Sequence, residues 1–252
     1  MRKLCLLAVL CSPWAMAETI TVAQHSLMRL PSQTSILQLD RLEVEDYGTL
    51  LIPSGLTELK VDQLVLGHEG RIAIVPGSQA FSLVVKDSQL GTGSQITARG
   101  SPGTYEKPPL PGRNLTLRME RLQGDELFVD ARGGAGSPGY VGLDGANGKA
   151  PGCTWGGAGK GHDGDQGGNG HDGAAGGQVR IELPQNFPVE RIKVNVQGGP
   201  GGVAGEGGKA GKGGAPKGCV VYRADGAKAG RAGDPGQPGA AGPAGAVSLQ
   251  RL

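Results

Sequence analysis

From Leu37 the chain alternates apolar and polar positions in short bursts, LQLDRLEVEDYGTLLIPSG. The pattern returns twenty-two residues later as LKVDQLVLGHEGRIAIVPG from Leu59. Leu39 aligns with Val61, Leu42 with Leu64, Val44 with Leu66, Gly48 with Gly70 and Ile52 with Ile74. Looser copies begin at Ser82, Leu115 and Val179. Period-two alternation marks strands with one buried face. A repeat of about twenty residues that cannot bury its own apolar face marks a stacked unit. The pattern therefore predicts an all-β fold, with a β-solenoid (β-helix) over residues 18–132 around an aliphatic interior. A β-sandwich of similar strands is the alternative, and the equal repeats with corner glycines favour the solenoid.

Beyond residue 132 the period changes from two to three. Of the 48 glycines, 11 precede residue 131 and 37 lie between Gly133 and Gly245. They form four tracts, each with six glycines three residues apart: Gly133–Gly148, Gly161–Gly176, Gly199–Gly214 and Gly230–Gly245. The bundle region spans 133–246, interrupted by a strand segment at 178–197 and followed by a terminal strand at 247–252. Gly133 and Gly199 are 66 residues apart, and Cys153 and Cys219 each lie twenty residues after a tract start, so tract, turn and tract are duplicated.

A period of three belongs to the polyproline-II conformation, which makes no internal hydrogen bonds and must find partners for its amides. Collagen finds them in two other chains. The third tract instead carries a second small-residue row, Gly198, Gly201, Ala204, Gly207, Ala210 and Gly213. Two bare faces suit a helix with neighbours on two sides, which predicts inserted hairpins of polyglycine-II helices within one chain. Collagen trimerisation is the competing reading, strongest for GDPGQPGAAGPAG in the fourth tract. The first two tracts carry polar rows such as Asp163, Gln166, Asn169 and Asp172, and are expected on the outside of the bundle.

Tracts such as GGAGSPGYVGLDGANG and GGPGGVAGEGGKAGKGG resemble the polyglycine-II bundles of T-even-type phage tail-tip adhesins and of springtail glycine-rich antifreeze proteins. The whole chain also resembles secreted bacterial collagen-like proteins. The likeness is one of repeat pattern and implies a shared local fold more than a shared role.

Residues 1–17 have the form of a secretory signal: Arg2 and Lys3, an apolar run from Leu4 to Leu10, and Ala15-Met16-Ala17 before the cut. Lipidation at Cys11 would require cutting that run short. With the signal removed, 25 basic residues become 23, against 23 acidic ones. The mature chain is then near neutral, which gives no basis for a nucleic-acid partner. The apolar run is too short to span a bilayer, so no transmembrane segment is expected. Secretion, to the periplasm or the cell surface, follows. Cys153 and Cys219 are the two cysteines that remain, and in an exported chain they predict one disulfide.

Candidate chemistry is sparse. No histidine joins a nucleophile motif, no phosphate loop occurs, and neither enzyme activity nor a cofactor is expected. In HDGDQGGNGHDG the His-Asp-Gly units stand three turns apart, about 28 Å, too far to share one ion. Asp163 and Asp165 together suggest at most a weak calcium site. KPPLPGR (Lys107–Arg113) reads as a stiff loop, and the sequon at Asn114 as the start of a repeat. The turns PGCTWGGAGK and APKGCVVYRADGAKA place Trp155 and Tyr222 just after the cysteines, where aromatics either cap the bundle or recognise a partner. Trp155, Tyr222, Arg223, Lys217 and Asp225 are the candidate binding residues, for a glycan or an envelope protein. The expected role is a secreted adhesive or structural protein. The alternatives are a passive envelope, matrix or appendage subunit associating end to end through the solenoid, a collagen-like trimer, and an ice-binding protein.

Overall fold

The computed structural model describes residues 18–31 and 34–252, so the signal-like segment 1–17 lies outside the described residues. Fifteen strands and one three-residue 3-10 helix (Val189–Arg191) are its regular elements. The long strands β1 (Thr19–Val22), β3 (Ile36–Val44), β5 (Glu58–Leu66), β7 (Phe81–Leu90), β9 (Leu115–Gly124), β11 (Val179–Leu183) and β15 (Val247–Arg251) form a seven-stranded parallel sheet in that order. The short strands β2 (Leu27–Arg29), β4 (Thr49–Ile52), β6 (Arg71–Ile74), β8 (Ser94–Thr97), β10 (Leu127–Asp130) and β12 (Ile192–Asn195) form a six-stranded parallel sheet. Two-residue strands β13 (Lys217–Gly218) and β14 (Arg223–Ala224) pair antiparallel on their own.

This corrects the β-solenoid expected from the repeat. Among the described residues the strands build two large open parallel sheets and no closed coil. One repeat is spent on a nine-residue strand, a four-residue strand and two turns, so each repeat adds one strand to each of two walls. Alternation reveals that one face of every strand is buried but not how many walls enclose it.

The register follows the sequence repeat, with Leu39 opposite Val61, Leu42 opposite Leu64, Val44 opposite Leu66 and Ile52 opposite Ile74. Inward side chains from both sheets form one aliphatic cluster, including Leu39, Leu64, Ile72, Leu83, Leu117 and Val129. Of the turns that join the walls, three place a non-glycine residue at positive φ: His25 (53°), Tyr47 (58°) and Glu69 (50°). Gly93 (76°) takes the next one. The repeated Gly48 and Gly70 are not the left-handed residues; each follows one and packs close to the carbonyl three residues before it.

Two buried polar groups tie the turns to the sheets. Arg113, 1% exposed, donates from Nε to Gln79 O (2.8 Å), from Nη1 to Val75 O (3.3 Å) and from Nη2 to Ser54 O (3.1 Å) and Leu56 O (2.7 Å). Its guanidinium also lies 5.5 Å from the Phe81 ring centroid. Four carbonyls stand in for a carboxylate, and burial lowers its pKa from the ordinary arginine value. The other group is Asp130, fully buried at the end of β10 and held by Arg99 Nε (2.6 Å) and Arg132 Nη2 (3.0 Å). Burial pushes its carboxyl up, but the hydrogen bonds from Arg132 and Arg99 together outweigh that and hold it below the ordinary carboxylate value.

Candidate functional site

The glycine tracts leave the sheets between β10 and β11 and again between β12 and β15. The aliphatic cluster stops at Ala131, resumes at Val179 and has no member in the tracts. What holds the tracts is a lattice of backbone hydrogen bonds at every third residue, the spacing of a chain with three residues per turn. The third tract donates to the second, antiparallel, from Gly199, Gly202, Gly205, Gly208, Gly211 and Gly214 at 2.8–2.9 Å. The second donates antiparallel to the first, as in Gly168 N–H to Tyr140 O (2.7 Å), and the fourth donates antiparallel to the third, as in Gly233 to Gly208 O (2.8 Å). Parallel contacts run from the first tract to the third (Gly139 to Val203 O, 2.9 Å) and from the second to the fourth (Gly170 to Gln237 O, 2.8 Å). Amides that a collagen trimer would offer to other chains find their acceptors within one chain.

The second and third tracts therefore each touch the other three, and the first and fourth do not touch one another through these bonds. This corrects the outer position expected for the second tract. Its polar row does not simply face water. Asp163 Oδ1 accepts the Arg231 N–H (2.7 Å), Asn169 Oδ1 that of Gln237 (2.8 Å), and Asp172 Oδ1 that of Ala240 (2.7 Å). In the first tract Asp144 and Asn147 do the same for Lys209 and Lys212, both at 2.7 Å. In each case the residue served also accepts the N–H of the glycine that follows the Asp or Asn. The result is a two-bond clamp across each parallel seam. Where the facing residue is Pro200 or Pro243, which has no N–H, the position before the donating glycine is Ala135 or Ala175.

At the end of the tracts away from the sheets lie the two cysteine-bearing turns. Five triplets of this helix are about 45 Å long. Cys153 and Cys219 are joined in a disulfide, with their Cα atoms 5.7 Å apart. The second turn is a small hairpin. β13 pairs with β14, and Cys219 N–H donates to Tyr222 O (2.7 Å), leaving Val220 and Val221 at its apex. Tyr222 Oη donates to Cys153 O (2.5 Å), a second link between the turns.

The candidate residues thus fall into two groups. Tyr222, 50% exposed, has its hydroxyl engaged in holding the tip together. Trp155 is 89% exposed, Val221 90% and Val220 wholly so. Lys217 and Arg223 sit on the paired strands of the hairpin, both exposed, with Asp225 just beyond β14. The two valines escaped attention in the sequence because a Val-Val pair beside a cysteine reads as strand. Their signal was position: turns favour Gly, Asn, Asp, Pro and Ser, and β-branched apolar residues have no local reason to occupy an apex.

Elsewhere the chemistry is muted. Asp163 Oδ1, half of the calcium suggestion, serves the clamp to Arg231. Among the described residues no group of three His, Cys, Asp or Glu side chains converges as metal ligands, and no helix is long and apolar enough to cross a membrane. No protein-family model, curated protein or solved structure matches the chain.

Proposed function

We propose that this is a secreted or cell-surface adhesive protein, in which the two sheets form a base, the glycine tracts a stiff stalk, and the disulfide-bonded turns the part that meets a surface. The observation that carries this reading is the tip itself: Trp155, Val220 and Val221 project into water from turns held by a covalent bond and the Tyr222 hydroxyl. Large apolar side chains exposed on a rigid support point to a partner that covers them. Pre-ordering by the disulfide lowers the entropy cost of that contact. The disulfide also accords with export to an oxidising compartment. The test is retention of the labelled protein on whole cells or isolated envelopes. Trp155→Ala combined with Val220→Ser and Val221→Ser should abolish retention and leave the melting temperature unchanged. Retention of that variant at the parental level would exclude the tip.

One observation favours the passive-subunit reading. β15 extends the long sheet by a strand with no counterpart beside β12 in the short sheet, and its Val247 and Leu249 stay exposed in register with buried Val179 and Ile181. On that reading a second copy covers this row, and sedimentation velocity would show a concentration-dependent dimer that Leu249→Glu dissolves.

A further inference from the structure

The tip has a chemical character of its own. Val220 and Val221 crown the hairpin and Trp155 projects from the adjoining turn, all nine-tenths exposed or nearly so. The turns Pro151–Lys160 and Ala215–Ala229 carry four cations, Lys160, Lys217, Arg223 and Lys228, against the single carboxylate of Asp225. Among the described residues, none of the ion pairs involves these cations; the pairs all lie in the sheet half. A chain whose residues 18–252 balance 23 cations with 23 carboxylates has therefore concentrated positive charge at the end of its stalk.

We propose that the tip inserts into the interface of an anionic lipid surface, an inference that rests on the adhesive reading above and names the partner. Aliphatic valines offer nothing to the hydroxyls of a sugar, and the one tip phenol already donates its proton to Cys153 O. A shallow acyl boundary accepts both valines, and an indole prefers the headgroup level. The surrounding lysines and arginine extend their charges back to the phosphates while their stems stay apolar. Insertion also accounts for the β-branched apex. Side chains that contribute nothing to the turn are the ones presented to the membrane. Pairing between β13 and β14 and the Cys219 N–H to Tyr222 O bond satisfy the backbone just below the apex, so that only the two apex residues need reach the interface.

The test uses the protein from Glu18 onward, oxidised, in which Trp155 is the only tryptophan. Vesicles of mixed phosphatidylglycerol and phosphatidylcholine are compared with phosphatidylcholine alone, by co-sedimentation and Trp155 emission. The expected result is binding with a blue-shifted emission, preferring the anionic vesicles by roughly a hundredfold for a net excess of three charges and weakening with added salt. Val220→Asp with Val221→Asp should reduce binding by at least about tenfold with an unchanged melting temperature. Lys217→Glu with Arg223→Glu should erase the preference for anionic lipid. Absence of binding to anionic vesicles, or undiminished binding by the valine variant, overturns the inference. If vesicles fail but cells still retain the protein through its tip, a protein or glycan partner takes the place of lipid and the adhesive reading stands. If neither retains it, both fall.

Discussion

Replacing Gly205 by alanine tests how tightly the stalk is packed. Gly205 lies midway along the third tract, and a Cβ there would sit 1.9 Å from Tyr140 O and 3.0 Å from Gly168 N. These are the acceptor and donor of the hydrogen bond between the first and second tracts (2.7 Å), and Gly205 itself donates to Gly168 O (2.9 Å). Restoring an ordinary contact requires the first tract to move out by more than 1 Å, on the order of the displacement that ends a hydrogen bond. The bonds most directly strained are Gly168 to Tyr140, Gly205 to Gly168 and Gly139 to Val203, each worth about 1 kcal/mol net, and more where a group is left unpaired. The smaller unfolded-state entropy of alanine returns about 0.5–1 kcal/mol. The net loss is about 2 kcal/mol or more, which for a chain of this size lowers the melting temperature by roughly 4–8 °C. Differential scanning calorimetry of the oxidised protein measures it. Gly207→Ala is the internal comparison. Its row faces the fourth tract, and a Cβ there would sit 2.0 Å from Gly233 O and 2.4 Å from Gly233 C, as close an approach as at Gly205, so the loss should be comparable even though Ala204 and Ala210 stand in the same row. A Gly205→Ala protein melting within about 2 °C of the parent would refute the close packing on which this reasoning rests.

Arg113→Met removes every donor to four carbonyls while retaining much of the stem, and should cost about 3–5 kcal/mol in chemical denaturation, because buried carbonyls left without a donor cost about 1–3 kcal/mol each and some regain water. Because Asp130 has a folded pKa held below its unfolded value near 3.8, its contribution is complete above that pH and is lost as pH falls through it toward the lowered folded pKa. Asp130→Asn should accordingly flatten the acid limb of a stability–pH curve below about pH 4, and an unchanged limb would assign acid lability elsewhere. Asn169→Ala should lower stability by about 1 kcal/mol by freeing the Gln237 N–H, whereas Ala135→Asp should gain nothing, because Pro200 has no proton to give. A gain from Ala135→Asp equal to the Asn169→Ala loss would show that charge, not the clamp, is at work.

Much of the strand register was legible because Leu39 and Val61, or Leu42 and Leu64, are the same repeat position, and a buried face tolerates no slip of one residue. The number of walls was not legible, since alternation carries no record of the turns between strands. The three-residue glycine spacing announced the spacing of the lattice bonds, and two late cysteines announced their disulfide. Which tract lies inside was hidden, because Asp163, Asn169 and Asp172 read as polar and therefore exposed, whereas their short side chains turn back onto neighbouring amides. Arg113 was hidden for a related reason. A cation at the end of a proline-rich loop gives no sign that four carbonyls, all in two turns that come earlier in the chain, await it.

The parallel seams of the stalk also fix an order of events. The amides of the first tract find their acceptors 64 residues later, in the third, and those of the second find theirs 67 residues later, in the fourth. The first hairpin made alone can satisfy only one of its faces, and glycine-rich chain loses the most backbone freedom on becoming ordered. Closing such long loops before any contact rewards them slows assembly. The sheets, whose neighbouring strands lie mostly about twenty to thirty residues apart, can form early from the amino-terminal side. The parallel seams of the stalk can both close only once the fourth tract has been made, and that tract runs directly into β15, which pairs with β11.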